Sequence, residues 1–262
     1  MNILRWLESK RREIGFSHNV LTIVAMISML IDHIAYVLIL NGKLYGYDTE
    51  LYENAISLPE AKSWLALYTF LRMIGRISFP IFAFLITEGF RKTSNIFKYA
   101  LRVLLFAVIS EIPFDLMIFN KCLSIDCLMK QNVLFTYFIA LIMLVVVKML
   151  NSISEFLSVI PAIGATVVCY FLRTDYSIEG IILIYFMYML RHDLNAKCLI
   201  VLIITLLMSI NRYYGFGALS VFFIYFYDGQ KGYFDLKRLS YFFYPLHMLV
   251  LYGILFFSYW NV

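Results

Sequence analysis

The sequence predicts an all-α, polytopic integral membrane protein, with about nine transmembrane helices around a polar intramembrane chamber. Three observations predict it. The 262-residue chain is 62% hydrophobic and only 15% charged, with a mean hydropathy of +0.81, whereas a soluble domain is about 45–50% apolar. Apolar runs near the length of a bilayer crossing recur along the whole chain. Ionisable residues fall inside several of those runs, where each costs at least ~2.5–3.5 kcal/mol unless it is paired, wetted or used.

Residues 1–18 form a basic amphipathic segment, with Ile3, Leu4, Trp6 and Leu7 against Arg5, Lys10, Arg11 and Arg12. That pattern suits a helix lying on the inner membrane surface, or a solvated basic tail. Residues 19–262 read as a single transmembrane domain. Its apolar spans fall at 19–41, 64–90, 96–119, 132–150, 157–173, 178–190, 197–210, 215–227 and 239–258. The first run contains Asp32 and His33 and is read as a retained span, not a cleaved signal. Lys and Arg set the orientation. With the N-terminus inside, thirteen of the 22 fall in inner segments and six in outer loops. The expected location is a cytoplasmic membrane, with the N-terminus on its cytoplasmic side.

The net charge of +5 follows loops rather than forming a stripe, which excludes nucleic acid as a partner and leaves the lipid bilayer. Four cysteines form no CxxC pair and have no histidine at zinc-like spacing, so no metal site is expected. Cys122 and Cys127 share an outer loop, either as a disulfide or as two free thiols.

The organising stretch is 64–119. Arg72 and Arg76 are one helical turn apart on one span, and Glu111 and Asp115 one turn apart on the next. Helical rise puts His33, Arg72 and Glu111 each roughly 12 Å below the outer ends of their spans, with His247 and Arg76 somewhat deeper. Groups distant in sequence therefore reach one layer. Arg72 and Arg76 either neutralise Glu111 and Asp115 or bind an anion through their multi-donor forks. His33 can take a proton near neutral pH; Asp32 either orients it or pairs with an arginine. Pro113, between the two acids, removes an amide donor and frees carbonyl groups.

The runs IDHIAYVL, LRMIGRISFPIFAFLITEGF, ISEIPFDL, QNVLFTYFIAL, DYSIEG and FYPLHMLVLYGI resemble the motifs of the TraX family of bacterial membrane proteins, over Asn19 to Phe257. That family takes its name from a conjugation protein implicated in acetylating a pilin N-terminus. More distantly, FPIFAFLIT and YPLHMLVLY resemble parts of the acyltransferase family 3 membrane enzymes. Where those carry an arginine ahead of the first-span histidine, this chain has Asn19 and Thr22.

The resemblance implies a CoA-dependent O- or N-acyltransferase using acetyl-CoA as acyl donor. The acceptor would be a glycan, a peptide or a pilin-like protein. His33, helped by Asp32, would be the base, and Arg72 or Arg76 would stabilise the oxyanion. Arg91, Lys92 and Lys98 would meet the anionic head of CoA. Glu111, Asp115 and His247 would line the substrate path. A proton-coupled transporter and a noncatalytic assembly partner for surface polymers are the competing readings, since buried ions also serve ion pathways and packing.

Overall fold

The computed structural model describes residues 10, 13–120, 125–234 and 236–260. Most of the basic segment 1–18 and Cys122 lie outside them. Among the described residues the regular elements are helices. They are α1 (His18–Ile34), α2 (Thr49–Ile56), α3 (Ala61–Gly75), α4 (Ser78–Lys92), α5 (Ile96–Phe119), α6 (Val133–Asn151), α7 (Val159–Leu172), α8 (Ser177–Met189), α9 (Leu194–Tyr213), α10 (Ser220–Tyr225) and α11 (Lys237–Trp260). A π-helical stretch, Ala35–Asn41, continues α1.

Among the described residues, five helical stretches are long and apolar enough to cross a membrane: His18–Asn41, Ala61–Lys92, Val133–Asn151, Leu194–Tyr213 and Arg238–Ser258. Three apolar helices are shorter: Phe156–Leu172, Ser177–Met189 and Phe216–Tyr225. α5 has the length, at 24 residues, but carries Arg102, Glu111 and Asp115. Large apolar side chains stay exposed on the outer faces, among them Ile27, Leu105, Val108, Leu207, Leu246 and Val250. Such a surface suits lipid better than water, and the fold is compatible with a multi-pass membrane protein.

Several helix starts are capped from within the chain, which satisfies donors that an apolar solvent cannot. Ser17, Asp48, Asn95, Asn132 and Asp193 accept backbone N–H bonds at the starts of α1, α2, α5, α6 and α9. The run expected to be one span at 64–90 is a broken helix: α3 ends at Gly75, a turn covers Arg76 and Ile77, and α4 begins at Ser78. Pro80 explains the break. It has no amide hydrogen, and its ring crowds the carbonyl of the residue four before it, Arg76.

The main core joins α1, α4, α6, α8 and α9 through Leu21, Ala25, Ile81, Leu141, Leu144, Ile184 and Val201. A second cluster, with Met29, Val37, Phe114, Met117, Tyr244 and Met248, joins α1 to α5 and α11. Two short main-chain pairings tie the ends. Phe16 N–H donates to the Phe226 carbonyl and Asp228 N–H to that of Phe16, at 2.8 and 3.0 Å. Gln131 N–H donates to the Arg173 carbonyl and Asp175 N–H to that of Gln131, at 3.0 and 2.9 Å.

Candidate functional site

Asp32 is the hub of the first polar centre. Arg72 Nη1 lies 2.5 Å from its Oδ2 and Arg76 Nη2 lies 2.5 Å from its Oδ1. The one-turn spacing of the arginines on α3 aims both at one carboxylate, and the break after Gly75 leaves Arg76 as the cap of α3. α1 approaches here because residue 75 is glycine: a Cβ on it would overlap Oδ1, Cγ and Cβ of Asp32. All three side chains are at least four-fifths buried. Two guanidinium charges against one carboxylate leave an excess of positive charge.

Tyrosines surround that centre. Arg76 Nη1 donates to Tyr176 Oη at 2.9 Å, and the Tyr213 ring lies 4.9 Å from the Arg76 guanidinium. Tyr36, Tyr68 and Tyr213 ring the Arg72 guanidinium at 5.6–5.9 Å. Such faces stabilise cations where water is scarce. Tyr176, in the turn between α7 and α8, stacks on Phe79 at 3.8 Å. Burial pushes its hydroxyl up to about 12, so it stays protonated.

His33 follows Asp32 and lies next to the π-helical stretch, a local irregularity frequent at functional sites. Its Nδ1 is 2.6 Å from Nε2 of His247 on α11, the two rings nearly parallel. His247 Nδ1 lies 2.6 Å from the carbonyl oxygen of Phe243, one turn back on its own helix.

Two cavities flank these groups. The first, about 230 Å³, is lined by Asp32, His33, Tyr36, Arg72, Arg76 and Tyr176, with Lys130 and Asp175, 3.1 Å apart, among its walls. The second, about 490 Å³, is lined by His18, Glu88, Lys92, Arg102, Tyr227 and Lys231 with apolar neighbours. Phe82, Leu134, Tyr137 and Ser240 belong to both linings, so the cavities meet at a common wall. They lie at opposite ends of α1, on the order of 20 Å apart from His18 to Asp32. In the second cavity Lys92 Nζ donates to Tyr227 Oη at 2.8 Å and to the Gly229 carbonyl at 2.9 Å, and reaches Glu88 at 3.5 Å.

Of the expected site residues, His33, Asp32, Arg72 and Arg76 share one cavity, and His247 reaches it through His33. Three expectations are corrected. Asp32 is not the partner that orients His33: its oxygens bond Arg72 and Arg76, the arginine pairing that the sequence also allowed, and His33 Nδ1 faces His247 instead. Glu111 and Asp115 do not neutralise those arginines: Glu111 accepts from the Asn132 backbone and side chain, and Asp115 from the Cys127 thiol, so neither lines the cavity. Arg91 bonds Glu88 at 2.6 Å and lines neither cavity, leaving Lys92 alone of that pair at the second one. Cys127 is buried, and whether it pairs with Cys122 falls outside the described residues. The tyrosine ring, Gly75 and the Lys130–Asp175 pair were not foreseen. The signal for Gly75 was its place between the two arginines in RMIGR, and for Tyr36 its position one turn past Asp32.

The sequence profile of the TraX protein family matches residues 17–255, and so takes in every residue that lines either cavity. A probable fimbrial assembly protein, FimC of serogroup H1 from Dichelobacter nodosus, is 33% identical over 139 residues. That match takes in 52% of this chain and 48% of the relative, so the aligned part spans about half the length of either protein. No solved structure matches the chain. With nine-tenths of its length inside the family profile, the chain belongs to the TraX protein family.

Proposed function

We propose that this chain is a membrane-embedded acyltransferase that moves an acetyl or other acyl group from acyl-CoA, entering at the inner face, to an acceptor hydroxyl or amine. The observation that carries the reading is the pair of back-to-back cavities: one has a histidine beside an arginine pair, the other cations among apolar and aromatic walls. The family's namesake link to pilin acetylation, and the fimbrial assembly description of the Dichelobacter relative, favour a pilin-like or other surface acceptor.

In this reading the second cavity holds the donor. Lys92, Arg102 and Lys231 face phosphate groups there, and the acyl end passes the wall of Phe82, Leu134, Tyr137 and Ser240. The acceptor enters past Lys130 and Asp175. His33 takes the acceptor's proton as its oxygen or nitrogen attacks the thioester carbon. The carbonyl oxygen gains the negative charge and lies against Arg72 or Arg76. Collapse re-forms the carbonyl, breaks the carbon–sulfur bond and expels CoA thiolate, which takes the proton back from His33. Donors fixed in advance of the charge contribute about 3–4 kcal/mol each, and a positioned base about 10²–10⁴ in rate.

Two cavities across a thin wall also suit a carrier opened alternately from each side. Ligand stabilisation separates the readings. The purified protein should gain thermal stability with CoA and much less with dephospho-CoA. No stabilisation by CoA or acetyl-CoA would remove the donor site and favour the carrier.

A further inference from the structure

We propose that His247 is the positioning residue that fixes the tautomer of His33 and aims its Nε2 as the basic atom, a deepening that rests on the acyl-transfer reading above. The Phe243 carbonyl has no proton, so a 2.6 Å contact with His247 Nδ1 requires the hydrogen on that nitrogen. His247 Nε2 is then a bare acceptor. It lies 2.6 Å from His33 Nδ1, which must therefore carry the next hydrogen. Main-chain acceptors behind His247, the Phe243 carbonyl first among them, thus set both rings, and the lone pair of His33 is left on Nε2, on a residue that lines the first cavity.

The packing holds that order. His247 is buried, and its ring stacks on Phe243 at 4.7 Å and lies against Tyr244 at 5.9 Å. A carboxylate would be the usual third group behind a histidine base, but the adjacent one, Asp32, is committed to Arg72 and Arg76. His247 fills the place from a helix 214 residues away. When His33 takes the acceptor's proton at Nε2, its Nδ1–H bond to His247 becomes charge-assisted, which stabilises the protonated ring. His247 touches neither reacting atom; it acts through His33.

The test begins without turnover. The full chain carries four histidines, so ¹⁵N-histidine spectra of the protein in nanodiscs can be assigned with His18→Gln and His192→Gln. His33 and His247 should both appear as Nδ1–H tautomers. An Nε2–H tautomer at either residue overturns the proposal, and this measurement needs no variant of the pair. In His247→Phe, His33 should lose its single tautomer; in His247→Gln, whose amide oxygen still accepts, it should keep it. An unchanged His33 in the Phe variant also overturns the proposal. In acyl transfer, kcat should fall about 10²-fold in the Phe variant with KM for acyl-CoA within about 2-fold, and the Gln variant should recover roughly 10-fold of that loss. A loss confined to KM contradicts the role. Absence of transfer in the unaltered protein refutes the acyl-transfer reading while leaving the tautomer result to stand or fall alone.

Discussion

Gly75 packs against Asp32 so closely that one further carbon atom would overlap the carboxylate. The contact is where α1 and α3 meet, and it places the one acid within reach of both arginines. Gly75→Ala should therefore act on the ionic centre rather than on helix propensity, which alanine would improve. We expect a stability loss of about 1–3 kcal/mol from overpacking, read as a lower unfolding temperature, together with loss of acyl transfer. A variant as stable and active as the parent would show that the approach is not required.

Asp32→Asn keeps the shape and removes the charge. Arg72 and Arg76 would then be buried cations without their counter-ion, and breaking a buried pair from one side costs about 3–5 kcal/mol. The expected result is a protein less stable than the Gly75 variant. A neutral effect on unfolding temperature would mean that water or the tyrosine ring suffices for both arginines.

The arginines make a separable prediction about rate. Lysine keeps the charge but loses the fork that serves Asp32 and a second partner together. Arg72→Lys and Arg76→Lys should each lower kcat, with the larger loss, about 10²–10³-fold, at whichever guanidinium faces the oxyanion. Equal and small losses, measured as kcat at saturating acyl-CoA, would argue against oxyanion stabilisation by either.

The common wall between the cavities is testable at Ser240, which borders both. Ser240→Trp should block passage of the acyl group while leaving CoA-dependent thermal stabilisation in place. Lys92→Gln should do the converse, raising KM for acyl-CoA about 3-fold with kcat nearly unchanged, a modest effect because the ammonium is half exposed.

Much of this was legible in the sequence, for identifiable reasons. The helical class follows from apolar runs that α1, α6, α9 and α11 reproduce closely, and the one-turn spacing of Arg72 and Arg76 announces a shared target. The identity of that target was not legible. By sequence Asp32 suits either the adjacent histidine or an arginine, and only the turn of α1 against Gly75 decides it. Charge balance suggested Glu111 and Asp115, yet opposite charges at similar depth need not face each other, and these acids turn to Asn132 and Cys127 instead. The break at Arg76 was hidden because its cause, Pro80, sits four residues downstream inside an unbroken apolar run. The pairing of His33 with His247 is a long-range contact between α1 and α11 that no local pattern encodes.

The most direct measurement is transfer of label from radiolabelled acetyl-CoA in membranes holding the unaltered protein or His33→Ala. A base at His33 predicts transfer by the former and a fall of about 10²–10⁴-fold in the latter, with CoA still stabilising both proteins. Undiminished transfer by His33→Ala would contradict the account.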